Sequence, residues 1–288
     1  MEEKQYESLN IPSKFKLEVL YSLTTSQYKG CILCVHGVCH GAWCFENFLE
    51  FFPKYGFDCF ALSFRGHSGS QGHEKLNEFG ISDYSEDIKE CINYCMSIKK
   101  IMKSTPFILG HSMGGAVVQN YIGEHSDAVK GAILFAPATA GGMKKFKTFI
   151  DTYFLHKDLR IAAKKASGKE VTDKELFESA FFDKRVPMND IRVYNKRLQI
   201  ESKKITLEEL YKSYTSNYSV NLPILVIGSY EDSYFPESSL NKTYTTYKNS
   251  KNKNIELEIL PDLCHDMMLD PAWEKSANIV LKFMENNI

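Results

Sequence analysis

Apolar residues fall along this chain in two rhythms. Short uninterrupted runs occur at Cys31–Val35, Gly56–Leu62, Phe107–Leu109, Val129–Phe135 and Leu222–Gly228. Their length, and the Gly, Pro or polar residues that bound them, predict strands of a parallel sheet buried on both faces. Between them apolar residues recur every three or four positions. Ile81, Tyr84, Ile88, Ile92, Cys95 and Met96 mark a long helix reaching Lys100, and further helices are expected over Cys44–Tyr55 and from Met113 to about Glu124. Phe15–Leu23 alternates as an opening strand, and Ile255–Leu260 alternates as a strand near a sheet edge. Trp273, Ala277, Val280, Leu281 and Met284 share one face of a closing helix over Pro271–Asn286. Strand and helix in strict succession predict an open, mostly parallel sheet covered by helices on both faces.

The succession breaks after Pro137. Residues 138–219 carry no convincing buried strand but three helix-like stretches, Lys144–Phe154, Lys174–Phe182 and Asp190–Ile200, rich in Phe, Tyr and Lys. The reading is a core of residues 1–137 and 220–288 with a helical cap inserted at 138–219. The cap would stand over the C-terminal ends of the strands, where open α/β sheets bind ligands. It is also the basic part of the chain: it holds 17 Lys and Arg against 11 Asp and Glu, while the whole chain has 35 against 36. That surplus is either a solvated helix surface or an attraction to anionic substrates or a lipid interface.

Composition narrows the picture only a little. A net charge of -1 gives no global attraction to nucleic acid. The polar start Met1-Glu2-Glu3-Lys4-Gln5 does not read as a signal peptide, and no stretch has the length of a transmembrane helix, so a cytoplasmic location without stable membrane insertion is expected. Eight Cys agree with buried, reduced thiols. Cys31, Cys34, His36, Cys39, His40 and Cys44 crowd together, but Cys31 and Cys34 differ by an odd step and point to opposite faces of a strand, which speaks against a shared metal. No metal and no cofactor are expected; the oligomeric state is left open.

The chemistry centres on Phe107-Ile108-Leu109-Gly110-His111-Ser112-Met113-Gly114-Gly115-Ala116. This is a strand, a tight turn and a helix start with the pattern Gly-x-Ser-x-Gly. A nucleophile on such a turn needs neighbours without side chains, because strand and helix pass close on either side. The helix N-terminus beneath it offers N–H groups to a developing oxyanion. The decamer resembles the nucleophile elbow of the α/β-hydrolase superfamily. That resemblance implies the α/β-hydrolase fold with an inserted cap, Ser112 as nucleophile, and the chain order Ser, acid, His. His265, the only His after the cap, then stands in the position of the base. The acid belongs in Gly228-Ser229-Tyr230-Glu231-Asp232-Ser233-Tyr234-Phe235-Pro236, where spacing from the Gly selects Glu231 and spacing to the Pro selects Asp232. Asp232 is favoured, because Asp is the usual carboxylate of such triads. Asp262 and Asp266 are poorer orienting partners. His36-Gly37-Val38 is similar to the family's oxyanion motif, which implies that the backbone N–H groups of Val38 and Met113 form the oxyanion hole, with His36 bracing the loop. Trp43, His111, Phe146, Tyr153 and Phe154 are candidate substrate-pocket residues.

The stretch His36–Cys44 resembles plant methylesterases and hydroxynitrile lyases, and lysophospholipase-like and monoacylglycerol-lipase-like bacterial hydrolases share much of it together with the Arg65–Ser70 loop. The lyases carry Lys after the catalytic His, where this chain has Asp266; dehalogenases and epoxide hydrolases carry an Asp nucleophile, where it has Ser112. The resemblance therefore implies a serine hydrolase acting on small or lipid-like carboxylic esters. A slow or non-hydrolysing small-molecule receptor and an acyltransferase on the same scaffold are the alternatives.

Overall fold

The computed structural model describes residues 6–142, 157–210, 212–250 and 252–288. Eight strands form one sheet: β1 (Glu7–Ile11), β2 (Leu17–Ser22), β3 (Gly30–Val35), β4 (Phe57–Leu62), β5 (Phe107–His111), β6 (Gly131–Phe135), β7 (Ile224–Ser229) and β8 (Ile255–Leu260). Their order is β1-β2-β4-β3-β5-β6-β7-β8. The pairs β1–β2 and β2–β4 are antiparallel, and every other pair is parallel. The five strands β3 to β7 are buried along their whole length, while β8 alternates and closes one edge.

The period of two sorts the strand residues between two apolar clusters. Ile32 and Cys34 of β3 join one, with Leu109, Phe135 and Ile227; Cys31, Leu33 and Val35 join the other, with Ile108, Leu134 and Val226. The first cluster is covered by α1 (Glu46–Phe51) and α8 (Glu274–Asn286), the second by α2 (Ile81–Asn93), α3 (Met113–His125) and α7 (Glu237–Asn249). All eight cysteines are buried free thiols.

Several expected boundaries shift for identifiable reasons. The helix over Cys44–Tyr55 is in three pieces: 3₁₀ turns at Ala42–Phe45 and Phe52–Tyr55 flank α1, and Pro53 sits at the start of the second, after Phe52. The long helix ends at Asn93 and runs on through one π-turn, Tyr94–Ile98. The apolar pattern of the sequence does not mark the strand β1 or the helix α7. The segment of α7 is mostly Ser, Thr, Asn and Lys, and only Leu240, Thr243 and Tyr247 of it are buried. Their spacing is helical, but three residues among so many polar ones make a faint stripe.

Between β6 and β7 the structure describes α4 (Lys157–Ala166), α5 (Asp173–Phe177) and α6 (Met188–Arg197). The helix-like stretch 144–154, with Phe146, Tyr153 and Phe154, lies outside the described residues. The stretch beginning at Lys174 is a helix only as far as Phe177, with Thr172 and Glu175 forming a reciprocal capping box at its start. Ile161, Leu176, Phe181, Phe182, Ile191 and Leu198 belong to the same apolar cluster as Trp43, Phe48 and Leu263, so these helices are packed onto the core. From Gln199 the chain returns across the opposite face: Ile205, Leu210 and Tyr214 join the second cluster.

A buried ion pair fixes the point of return. Glu201 Oε2 lies 3.1 Å from His67 Nε2, and Glu201 Oε1 accepts from Tyr84 Oη at 3.2 Å and from the Ser202 N–H at 2.7 Å. His67 Nδ1 faces the Arg65 carbonyl at 3.2 Å, so both ring nitrogens face acceptors. Burial alone would lower the His67 pKa, but the charge and hydrogen bond of Glu201 raise it above its ordinary value; burial would raise Glu201, but His67 and two backbone N–H groups hold it low. The His67 contribution to stability is full below its unfolded pKa of about 6.5 and is lost as pH rises through the raised folded value. The Glu201 contribution is present above its unfolded pKa of about 4.3 and is lost as pH falls through the lowered folded value. Glu201→Gln should cost about 3 kcal/mol in urea unfolding near pH 6, since it strands one member of a buried pair. It should also flatten the loss of stability between pH 6 and 8. A variant within 0.5 kcal/mol of wild type, on the scale of an ordinary surface substitution, would show that the pair does not hold this segment.

Candidate active site

The strand β5 and the helix α3 meet at Ser112, which has φ 54° and ψ -116°. That backbone conformation is strained for a residue with a side chain. The neighbouring glycines permit it. A Cβ on Gly110 would lie 2.3 Å from the Gly114 carbonyl oxygen, and one on Gly114 would lie 2.5 Å from the His36 carbonyl oxygen. The turn is held from outside by the Ser112 N–H to the Phe135 carbonyl, 3.0 Å, and by the Ala138 N–H to the Ser112 carbonyl, 3.0 Å.

Ser112 Oγ lies 3.0 Å from His265 Nε2, and His265 Nδ1 lies 2.8 Å from Asp232 Oδ2. All three residues are buried, at 8%, 2% and 3% exposure. The two adjacent carboxylates of the β7 loop are therefore separated by direction. Asp232 faces the imidazole, and its Oδ1 accepts from the Tyr234 and Phe235 N–H groups at 2.7 and 3.0 Å. Glu231 faces away: its Oε2 accepts from Ser229 Oγ at 2.8 Å and from the Asp262 N–H at 2.9 Å, which ties the ends of β7 and β8 together. Asp262 is exposed and pairs with Arg185 and Lys275. Asp266 is buried against His40 and His111. Burial would lower the His265 pKa, but Asp232, with a smaller contribution from Asp266, raises it above its ordinary value.

The loop after β3 closes the other side. Met113 is the first residue of α3, so helix geometry leaves its N–H without an intrahelical acceptor. Gly37 lies against the turn: a Cβ there would approach Ser112 Cβ to 2.9 Å. Val38 follows Gly37 directly in this loop, and Met113 follows Ser112. His36 joins loop to loop, with Nε2 accepting from the Phe64 N–H at 3.1 Å and Nδ1 donating to the Gly37 carbonyl at 2.9 Å. Burial, with His67 nearby, pushes its pKa well down, so it is neutral and structural.

A cavity of about 410 Å³ opens beside His265, lined by Phe177, Phe182, Glu178, Arg185, Glu231 and Cys264 among others. Trp43 and His111, anticipated as pocket residues, are not among its described lining. Trp43 lines a separate cavity of about 340 Å³ and carries the Arg197 guanidinium 4.6 Å from its ring centre. His111 is packed beneath the site, its ring 4.8 Å from that of His265. His111, His265 and Asp266 bring one possible ligand atom each within 4.8 Å of one another. Both ring nitrogens of His265 are engaged by Asp232 and Ser112, so a cation there would dismantle the relay.

Residues 26–272 match the family model of the serine aminopeptidase S33 hydrolases. The chain belongs to this family. A monoacylglycerol lipase of Mycolicibacterium smegmatis is 24% identical over 124 residues, which cover 42% of this chain and 43% of that protein. Methyl jasmonate esterase 1 of Vitis vinifera is 33% identical over 85 residues, 29% of this chain and 30% of its own. The chain thus spans less than half the length of these two relatives. An esterase from Exiguobacterium antarcticum superimposes over 97% of this chain and 100% of its own, with a TM-score of 0.71 at 16% identity. The monoacylglycerol lipase of Paleococcus ferrophilus superimposes over 94% and 99%, with a TM-score of 0.67 at 17% identity. At such identities the likeness is one of fold, and the fold is that of the α/β hydrolases. Among the described residues no helix is long and apolar enough to cross a membrane.

Proposed function

We propose that this S33-family chain is a serine hydrolase of carboxylic esters, small or lipid-like, working through an acyl-enzyme. The observation that carries the reading is the unbroken line from Ser112 Oγ through both nitrogens of His265 to Asp232. Ser112 Oγ attacks the ester carbonyl carbon while His265 Nε2 takes the hydroxyl proton. The carbonyl oxygen gains charge and is met by the N–H groups of Val38 and Met113. Asp232 holds the Nδ1–H tautomer and stabilises the imidazolium. As the tetrahedral intermediate collapses, His265 returns the proton to the departing alkoxide and the alcohol leaves. Water then repeats the sequence on the acyl-Ser112 ester, releasing the acid and restoring the serine. No step calls for a metal or a cofactor.

The insertion at 138–219 acts in this reading as a cap whose Phe177 and Phe182 line one wall of the cavity beside His265. Labelling by a fluorophosphonate and turnover of a p-nitrophenyl ester series from acetate to decanoate test the reading. Labelling with no turnover of any ester would favour the small-molecule receptor, and acyl transfer to added alcohol outrunning hydrolysis would favour the acyltransferase. Neither labelling nor turnover would end the serine mechanism.

The pH profile tests the base separately. His265 must be neutral to accept the Ser112 proton, and Asp232 favours its charged form, so kcat/KM should rise with pH along a limb centred above about 6.5. A profile flat from pH 5 to 8 would remove His265 from the role of base.

A further inference from the structure

The mechanism leaves one buried charge unused. Asp266, next in sequence to the proposed base, is wholly buried. Its Oδ2 lies 3.0 Å from His40 Nε2, and its Oδ1 lies 3.5 Å from His111 Nε2. Each histidine reaches on into the site. His40 Nδ1 lies 2.7 Å from the Val38 carbonyl oxygen, and His111 Nε2 lies 3.2 Å from the His265 carbonyl oxygen. The Asp266 N–H donates to the Phe181 carbonyl at 3.0 Å, within the inserted region. Four segments therefore meet at this residue: the loop bearing Val38, the strand end just before Ser112, the loop bearing His265, and the chain after α5.

The chemistry of the cluster is specific. Both ring nitrogens of His40 face oxygen atoms, the Val38 carbonyl and Asp266 Oδ2, so the ring bridges the oxyanion loop and the base loop. Among the described residues Asp266 Oδ1 accepts no hydrogen bond, having only the longer 3.5 Å contact with His111 Nε2, and His111 Nδ1 has no hydrogen-bond partner. A buried carboxylate with one oxygen lacking a hydrogen bond is costly, and an apolar side chain of similar size would stabilise a fold as well or better. Stability alone does not account for this group.

We propose that Asp266 and His40 are positioning residues: one buried carboxylate clamps the oxyanion loop to the base loop, so that Val38, Ser112 and His265 keep a single mutual geometry through the reaction. The inference rests on the ester-hydrolase reading of the same site. The clamp has an electrostatic side as well. The groups facing His265 are Asp232 from the β7 loop, Asp266 from its own loop, His111 from β5, and the Tyr234 ring at 4.7 Å. Burial, with His265 nearby, pushes His111 well down, and burial pushes the Tyr234 phenol well up, so both stay neutral. The charges that His265 feels from this set are the two carboxylates.

Asp266→Asn keeps the size and an acceptor for His40 but removes the charge. It should lower kcat about 10- to 100-fold with little change in KM, the scale on which a small misplacement of reacting groups acts. It should also move the kcat/KM limb to lower pH, because His265 loses one of two neighbouring negative charges. His40→Gln should lower kcat comparably. The double variant should be no slower than the slower single, because both break one contact. Fluorophosphonate titration gives the competent fraction of each preparation, and the limb midpoint does not depend on that fraction, so poor folding does not obscure the result. Wild-type kcat with an unmoved limb in Asp266→Asn would overturn the proposal. So would a loss explained wholly by a reduced titratable fraction, or losses that multiply in the double variant. If Ser112→Ala stays active, it is the underlying serine reading that fails instead.

Discussion

Ser112→Ala should lose at least about 10⁴-fold in kcat on any ester the wild-type protein turns over, the scale on which triad nucleophiles matter. The variant should also lose all labelling by a fluorophosphonate. A residual tenth of wild-type turnover would sink the mechanism. The backbone adds a second arm to this experiment. Ser112 holds φ 54° and ψ -116°, a region that favours glycine. Alanine inherits that strain, so Ser112→Ala should melt close to wild type. Ser112→Gly should be as inactive, yet more stable by about 1 kcal/mol, because the strain is released. A glycine variant no more stable than the alanine one would mean that the turn carries little strain.

Asp232→Asn should cost about 10⁴-fold in kcat, the size seen when a triad carboxylate is replaced by an amide. Here the neighbours dictate which way the amide faces. Oδ1 accepts two backbone N–H groups, from Tyr234 and Phe235, so the Asn carbonyl oxygen must occupy that position. The NH₂ group is left facing His265 Nδ1. Imidazole then carries its hydrogen on Nε2, against Ser112, where it cannot accept the serine proton. Glu231→Gln should stay within about tenfold of wild type. One oxygen, Oε2, makes both of its hydrogen bonds, and an amide oxygen can replace it. The reverse ranking of the two variants would transfer the acid's role to Glu231.

How legible these features are from the sequence depends on how locally they are encoded. The central strands read directly, because burial on both faces turns Cys31–Val35 or Leu222–Gly228 into an unbroken apolar run. The elbow reads as well, because Gly110, Ser112 and Gly114 fall within five residues of sequence and a Cβ on Gly110 would strike Gly114 itself, although the demand on Gly114 comes from the distant His36 carbonyl. Choosing between Glu231 and Asp232 does not, because adjacent side chains differ by direction, and direction comes from the loop's own hydrogen bonds. The clusters His67–Glu201 and His40–Asp266 are harder still. Their members are 134 and 226 residues apart, and each His looks like any other until the sheet brings its carboxylate. Trp43 and His111 flank recognisable motifs, but which cavity a side chain faces depends on how the loops pack: Trp43 lines a different cavity from the one beside His265.

The hydrogen bonds around Gln199 and Glu201 have a consequence for anyone building chimeras between hydrolases of this family. Gln199 takes the Cys39 carbonyl with its N–H, the Ser68 N–H with its Oε1 and the Gly66 carbonyl with its Nε2. Ser202 Oγ donates to the Phe79 carbonyl, and the Tyr214 carbonyl accepts from Asn120. A graft that exchanges everything from 138 to 219 would carry off the carboxylate that faces His67 and the lining that Ile205, Leu210 and Tyr214 give to the face of α2 and α3. A donor segment joined just before Gln199 would leave those contacts with the host. The unit to transplant between relatives is then 138–198, with the return path kept as part of the recipient.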